Sequence, residues 1–415
     1  MGAALFPSFI ETGIAGASRP ESLPVSHRMG SLLPGGKDSG KSLIIVVLQG
    51  GVSHFDTFDP KTDRDVQGLF KRIRTKADGV YLTDQLPRMA KRMDKVLLLR
   101  NLFHTYTDHW AGTSFYLTGS PELNPKKESV QLSPFIELSQ YFTRMESPDA
   151  GYVVMHHRDN SSYEGVSVMP YAGLHLHHPD TLYAPRNETL GRFVSPITAI
   201  SDPARFAKMV KLSDQFDSGP TSPVGHTVER SAAIRRVALL RLQGELGRSF
   251  DLRQEPIAVR EKYGTTGFGD ELLIARRMVE RGARVVVANH GNYDFHEDIH
   301  GIKHKTLLAR LDQGISALID DIHSRTLPVV VAVISEFGRT PRINRDRGRD
   351  HWPDSNSMLL FGHGIEPGLV GATGNNGVII GPAIDAGRVG EFLLNLIGFA
   401  RWIIETNERV PTLTI

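Results

Sequence analysis

Four stretches of the chain are almost unbroken runs of apolar, largely β-branched side chains: Leu43–Leu48, Val96–Leu99, Ala283–Ala288 and Val329–Ile334. Runs without polar alternation predict strands buried on both faces. Between and around them, apolar positions recur every three to four residues. That spacing predicts a helix over 84–93, with Asp84 as N-cap and Leu86, Met89, Ala90 and Met93 on one face. Further helices are predicted through Ser114–Leu117 and over 270–281, 305–324 and 389–404. Strands alternating with amphipathic helices define an α/β protein, with a mostly parallel central sheet and helices on both faces.

Two regions depart from this rhythm. Residues 1–40 are rich in Gly, Ser, Pro and Ala without a sustained period, which reads as a flexible tail or an export-signal remnant. Ala15-Gly16-Ala17 resembles a small-residue cleavage site. Residues 145–260 carry much Pro, Ser, His and Asp, a hairpin or two and a basic helix near 229–248. They are expected to form an insertion or cap on a main domain spanning 41–415. Gly35 to Ser42 fits the phosphate-loop pattern GxxxxGK[ST], but that loop must lie between a strand and a following helix. Here a strand follows, so the context is reversed and the match is set aside.

Composition narrows the chemistry. In 415 residues there are 48 Lys+Arg against 46 Asp+Glu, a net charge of +2 that gives no reason to expect nucleic acid or anionic lipid as partner. The chain has no cysteine, which excludes disulfides, thiolate zinc sites, iron–sulfur clusters and a cysteine nucleophile. Pro7 and Glu11 interrupt the apolar run Gly2–Ala17, which is too short to span a membrane, and no transmembrane segment is predicted. The 17 histidines then invite a question of position.

In open parallel sheets, ligands bind beyond the carboxyl ends of the strands. Ser53, His54, Asp56 and Asp59 follow the first run; Arg100, His104, Asp108 and His109 follow the second. His290, Asp294, His296 and His300 follow the third, and Glu336, Arg339, Asp350 and His351 the fourth. Mixed His and carboxylate clusters without Cys suit zinc, manganese or iron, with zinc or manganese favoured, as one ion or as two a few ångströms apart. Arg339 could clamp a tetrahedral oxyanion. The competing reading of the same residues is a buried polar network tying loops together. His296-Glu297-Asp-Ile-His300 also fits HExxH, the zinc-protease pattern, although Gly291-Asn292 upstream places His296 in a strand-end loop. Neither Ser53 nor Ser114 lies in a GxSxG elbow.

Several segments carry a resemblance. Leu48–Lys61 (Leu-Gln-Gly-Gly-Val-Ser-His-Phe-Asp-Thr-Phe-Asp-Pro-Lys) is similar to the opening signature of a bacterial sulfatase-like family, a domain of unknown function in the alkaline phosphatase superfamily. Asp108-His109 followed by Leu117-Thr118-Gly119, Tyr263-Gly264 leading into Leu273–Glu280, Asn292–His296, Ser335–Pro341 and Gly348–Pro353 extend it over roughly residues 41–400. Asn292-Tyr-Asp294-Phe-His296 resembles the family's Trp-Asp-Thr-His segment. The resemblance implies an alkaline phosphatase-like three-layer sandwich. It also implies a metal-dependent hydrolase of phosphate or sulfate esters, acting on a small-molecule or carbohydrate ester. Relatives look exported, which implies a periplasmic location, or a cytoplasmic one if no signal lies upstream.

The departures from the superfamily pattern are specific. Gln49-Gly50-Gly51 stands where an aspartate ligand is usual, His109 where counting back from Thr118 places the nucleophile, and Glu336-Phe337 where an Asp-His pair is usual. The expected site is therefore a modified one. Asp294 and His296 lead the metal ligands, followed by Asp350, His351 and Glu336, with Asp56, His54 and Asp108 as further candidates. His109, Arg339 and Ser53 are the catalytic candidates, with His109 an alternative ligand and Thr107 a second fallback nucleophile. Without a covalent nucleophile, a metal-bound hydroxide could attack directly. A non-catalytic binding or scaffold protein on the same fold is the alternative function, and a zinc protease using His296 and His300 the second.

Overall fold

A computed structural model describes residues 40–119 and 248–398, together with the backbones of five short strands: Ile10–Glu11, Tyr152–Met155, Leu182–Ala184, Arg186–Asn187 and Arg192–Phe193. The tail over 1–39 apart from Ile10–Glu11, most of the expected cap with its basic helix, and the end of the expected helix 389–404 lie outside the described residues.

The central sheet has ten strands: β1 (Ile10–Glu11), β2 (Ser42–Leu48), β3 (Val96–Phe103), β4 (Tyr152–Met155), β5 (Leu182–Ala184), β6 (Val285–His290), β7 (Val329–Ile334), β8 (Asn356–Gly362), β9 (Gly368–Val370) and β10 (Ala383–Asp385). Their order is β1-β10-β3-β8-β7-β2-β6-β4-β5, with β9 also paired to β3. β2 lies parallel between β6 and β7, and their registers align Leu43 with Val285 and with Val330. Of this core, only β8 is reversed, antiparallel to both β7 and β3. The carboxyl ends of β2, β3, β6 and β7 and the entry to β8 therefore share one edge.

All seven residues of β2 are buried, because its side chains feed two cores in alternation. Ile44, Val46 and Leu48 join one apolar cluster, Leu43, Ile45 and Val47 the other. The first cluster packs helices α2 (Gly267–Val279) and α3 (Ile302–Ser324) on one face. The second packs α1 (His109–Thr118) and α4 (Val389–Leu396) on the other. This is the expected three-layer α/β arrangement. At about 1.5–3 kcal/mol per buried aliphatic side chain, the six apolar residues of β2 alone tie the two layers together.

The predicted helix over 84–93 is shorter than expected. Only Pro87–Ala90 is helical, and Asp84 does not cap it. Its amides are capped from another element, the Asp312 carboxylate of α3 accepting from Arg88 N and Met89 N at 2.8–3.1 Å. Asp84 instead accepts from Lys71 N. The strand after α2 begins at Val285 rather than at Ala283, because Gly282 takes φ +93° and turns the chain there. Ser42, the last residue of the phosphate-loop match, opens β2, with the rest of that match largely outside the described residues.

Candidate metal centre at the sheet edge

β2 is followed by the turn Gly50-Gly51, with φ values of +99° and +70°. A Cβ on Gly50 would lie 2.6 Å from the backbone nitrogens of Tyr293 and Asp294, so only glycine lets this turn nest against the loop after β6. That loop is held in turn by Tyr293 N donating to Gln49 O at 2.9 Å. Asp294 is thereby delivered above the carboxyl end of the sheet.

His109 is the first residue of α1, whose N-cap is Asp108, accepting from Ala111 N at 2.9 Å. Gly112, one turn on, lets α1 approach β7, for a Cβ there would meet Glu336 O at 3.1 Å. Glu336, immediately after β7, is fully buried. Its Oε1 accepts from Gly50 N at 2.6 Å and from His109 Nδ1 at 2.7 Å, while Oε2 accepts from Ser335 Oγ at 3.2 Å. His351 comes from the two-residue ribbon that pairs Gly338–Arg339 with His351–Trp352 ahead of β8.

These elements bring His109, Asp294 and His351 together, with one ligand atom from each lying within 4.8 Å of the others. His351 Nε2 is 3.1 Å from Asp294 Oδ1, and His109 Nε2 is 3.4 Å from Asp294 Oδ2. His296 Nε2 joins at the rim, 3.0 Å from Asp294 Oδ1 and 3.1 Å from His351 Nε2. Each imidazole is fixed from behind. His109 Nδ1 donates to Glu336, His296 Nδ1 to Asp350 Oδ1 at 2.8 Å, and His351 Nδ1 to Thr107 O at 2.5 Å. With each Nδ1 bonded behind, each Nε2 faces the Asp294 carboxylate, a contact that either a ring proton or a metal ion can bridge.

For His109 the bridging group at neutral pH is a proton. Burial alone would lower the His109 pKa, but Asp294 and Glu336 outweigh it and raise it to about 9. Burial raises the Glu336 carboxyl, yet its hydrogen bond and charge interaction with His109 leave it below the ordinary range. The hydrogen bond from His296 does the same for Asp350.

Arg339 does not face an open anion site. Its guanidinium is fully buried and donates to Gly51 O at 2.7 Å, Arg349 O at 2.9 Å, Gly50 O, and Asp294 Oδ1 at 2.5 Å. It positions Asp294 and the glycine turn rather than an oxyanion.

Four other candidates lie elsewhere. Ser53 is buried and donates to Asp56 Oδ2 at 2.5 Å. Asp56 faces Arg349 at 2.7 Å and His300 at 3.3 Å, so it is an internal counter-ion and not a ligand of this cluster. Burial raises its carboxyl, but Arg349, His300 and Ser53 together hold it well below the carboxylate range. His54 bonds Ser355 Oγ at 3.1 Å, and burial lowers its pKa to about 3, so it sits neutral in the core. Asp108 is a helix cap. For Ser53, Asp56 and His54, the buried polar network is the better description.

Asp350 and Glu336 stand behind the imidazoles instead of within the cluster. The HExxH segment is not helical: α3 starts only at Ile302, and His300 is turned inward against Asp56 and Phe70 while His296 faces solvent. The two histidines do not share a helix face, which removes the protease geometry. Thr107 contributes its carbonyl oxygen, not its hydroxyl, to His351.

Asn344 was not a sequence candidate. Its Nδ2 donates to Asp350 Oδ1 at 3.2 Å and to His296 O at 2.9 Å, while its Oδ1 accepts from Asp346 N and Gly348 N. The readable signal was the turn-forming Asn-Arg-Asp-Arg-Gly sequence.

A family model described as "Protein of unknown function (DUF1501)" matches residues 40–379. Among solved structures, the chain is similar to the alkaline phosphatase from the Antarctic bacterium TAB5, at 10% identity and TM-score 0.40, covering 87% of this chain and 98% of that one. It is similar to the lipoteichoic acid synthase LtaP from Listeria monocytogenes, at 12% identity and TM-score 0.39, covering 87% and 72%. The zinc complex of the C-terminal periplasmic domain of EcEptC from Escherichia coli gives 9% identity and TM-score 0.35, covering 80% and 78%. No curated protein matches the chain in sequence. Among the described residues, no helix is long and apolar enough to cross a membrane.

Proposed function

Starting from the membership of this chain in the DUF1501 family, we propose that it is a metal-dependent hydrolase of phosphate or sulfate esters. The observation that carries the reading is the convergence of the His109 and His351 Nε2 atoms on the Asp294 carboxylate, with each Nδ1 already bonded behind. Metal-ligating histidines characteristically donate their other ring nitrogen to a carboxylate or carbonyl, as here to Glu336 and Thr107. One ligand atom from each of the three residues lies within 4.8 Å of the others, close enough for a single small ion to reach all three.

His109, Asp294 and His351 would hold the ion, three protein ligands being the number that leaves a catalytic site open to substrate. A divalent cation there, zinc or manganese by its nitrogen and oxygen donors, supplies Lewis-acid polarisation of a phosphoryl or sulfuryl oxygen. The protein's part is to fix its own groups. Glu336, Thr107 O and Arg339 orient the three ligands. His296 is half exposed at the rim and backed by Asp350, where it can pass a proton to the leaving alcohol oxygen. Ser53 is buried with Asp56 and is set aside as nucleophile, which favours water as the attacking group.

The test is elemental analysis followed by activity. Purified protein should carry zinc or manganese, and Asp294→Ala and His351→Ala should lose it. The loaded protein should release p-nitrophenol from its phosphate or sulfate ester. His296→Gln should keep the metal and lower kcat by roughly 10²–10⁴-fold, the usual worth of a proton donor. Protein that cannot be loaded with any divalent ion would refute the proposal, and loaded protein inert toward both esters would leave a metal-binding scaffold.

A further inference from the structure

We infer that the exposed face built from residues 69–76 and 302–310 is a docking surface for an anionic lipid bilayer, set beside the candidate metal centre. The docking stands on its own observations; that it would present lipid-borne esters to the centre rests on the metal reading above.

The net charge of +2 conceals an uneven distribution. From Val66 to Ala77 the charged residues are Lys71, Arg72, Arg74 and Lys76. From Ile299 to Leu311 they are Lys303, Lys305 and Arg310, and neither segment contains an acid. All seven cations are exposed. The fold joins the two segments into one face. Leu69 N donates to His300 Nε2 at 3.3 Å, the Phe70 and His300 rings meet edge to face at 4.7 Å, and Lys305 Nζ stands 5.9 Å over the Phe70 ring. In the short strand Arg72–Arg74, Ile73 packs on the core while Arg72 and Arg74 turn outward. Among the described residues, only Lys76 of the seven meets an acid, Asp94 at 2.8 Å. The acids bordering this face are engaged elsewhere: Asp84 accepts from Lys71 N at 3.1 Å, and Asp298 lies 3.5 Å from Arg347.

Among the same described residues, Leu69 and Ile302 are the two most exposed large apolar side chains, at 76% and 77%. Both lie beside His300 and within the ring of cations. Aliphatic groups held in water among cations suit an anionic bilayer, where methyl groups enter the acyl boundary and the cations meet lipid phosphates. A nucleic acid would satisfy the charges and leave both aliphatics wet. The face also borders the centre. A Cβ on Gly68 would lie 2.5 Å from His300 and 2.8 Å from Ile343, and the next residue, Asn344, holds His296 O at 2.9 Å.

The experiment mixes full-length protein with vesicles of phosphatidylcholine, with or without added phosphatidylglycerol, and reads bound protein by sedimentation. The expected result is binding to the anionic vesicles alone, weakened by salt. Lys303→Gln/Lys305→Gln should weaken it about 30-fold, at about fivefold per charge near an anionic surface. Leu69→Ser/Ile302→Ser should weaken it at least as much, because two aliphatic side chains stay in water. Both double variants should keep the wild-type melting point and metal content. Wild-type protein left in the supernatant by both kinds of vesicle would overturn the inference. So would a Leu69→Ser/Ile302→Ser variant that binds as tightly as the wild type, which would mark a general polyanion surface instead. Protein that binds vesicles but takes up no metal would sink the hydrolase reading and leave the docking surface standing.

Discussion

Glu336→Gln separates the charge of this buried carboxylate from its shape. Both N–H donors from the site, Gly50 N at 2.6 Å and His109 Nδ1 at 2.7 Å, converge on Oε1. The amide oxygen of glutamine can take that place and accept both. The new NH₂ would face Ser335 Oγ, whose own proton can go to Leu48 O at 2.7 Å. The fold should therefore persist, with two charge-assisted bonds weakened to neutral ones at about 1 kcal/mol each. What changes is the electron density on His109, because its ring no longer donates to an anion. Losing such a partner costs about 10–100-fold in metal affinity, or about 1.4–2.7 kcal/mol. Chelator competition with Zn²⁺ or Mn²⁺, read by elemental analysis, measures this directly, and circular dichroism confirms the fold. Glu336→Ala sets the contrast. It orphans the same two buried donors at about 1–3 kcal/mol apiece, a large part of a typical stability of about 5–15 kcal/mol, so its melting point should fall steeply. A folded Glu336→Gln that binds metal as tightly as the wild type would refute the argument that Glu336 orients His109 for a cation.

Three further outcomes follow from the same geometry. His109 has its pKa raised from 6.5 to about 9 in the metal-free protein. Its stabilising contribution should be complete below about pH 6.5 and be lost as pH rises through about 9, a trend that pH-dependent melts of apo-protein would show. The same proton must leave for a metal to bind, so apparent metal affinity should rise with pH over that window, and binding should release a proton detectable in weakly buffered solution. Arg349→Met breaks a fully buried pair with Asp56 and should cost roughly 3–5 kcal/mol in urea melts. The Asp56 carboxyl is depressed, so its contribution is present above the ordinary carboxylate range and lost as acid protonates it, and this acid limb should shrink in the variant. His54→Phe should leave metal stoichiometry unchanged, because the ring is a neutral core residue packed against Gly338, whereas His351→Ala should abolish binding. Loss of metal from folded His54→Phe would reinstate that histidine near the centre.

Much of the architecture was readable because β2, β6 and β7 are buried on both faces and so are written as uninterrupted apolar runs. Placing chemistry beyond the carboxyl ends of these strands and of β3 picked out Asp294, His296, His351 and His109, which the fold brings close together. Residue type could not tell a ligand from its support. Asp56 and Asp294 both follow a strand end, but Asp56 is claimed by an arginine 293 positions later in the chain, which no local pattern reveals. Asp350 and Glu336 were recognisable as site carboxylates, but their place behind the imidazoles depends on side-chain direction. β8 was not among the runs read as strands, and its reversal carries no sequence signal, since an antiparallel strand buried on both faces reads like a parallel one. Arg339 looked like an anion clamp because the carbonyls it serves, those of Gly50 and Gly51, carry no side-chain signal at all.

The members of the centre are scattered across the chain, with Glu336 following His109 by 227 residues and His351 following Thr107 by 244. During synthesis on a ribosome, Asp294 emerges long before His351, and no early segment holds a complete set. Under the proposed metal reading, an ion could lodge only after the sheet has closed around residues from both halves of the polypeptide. Such long-range closure is slow compared with helix formation. Once lodged, an ion at about 100 times its dissociation constant would add about 2.7 kcal/mol to the folded state. Metal loading would then act as a completion signal, a clasp that fastens last and marks finished molecules from truncated ones.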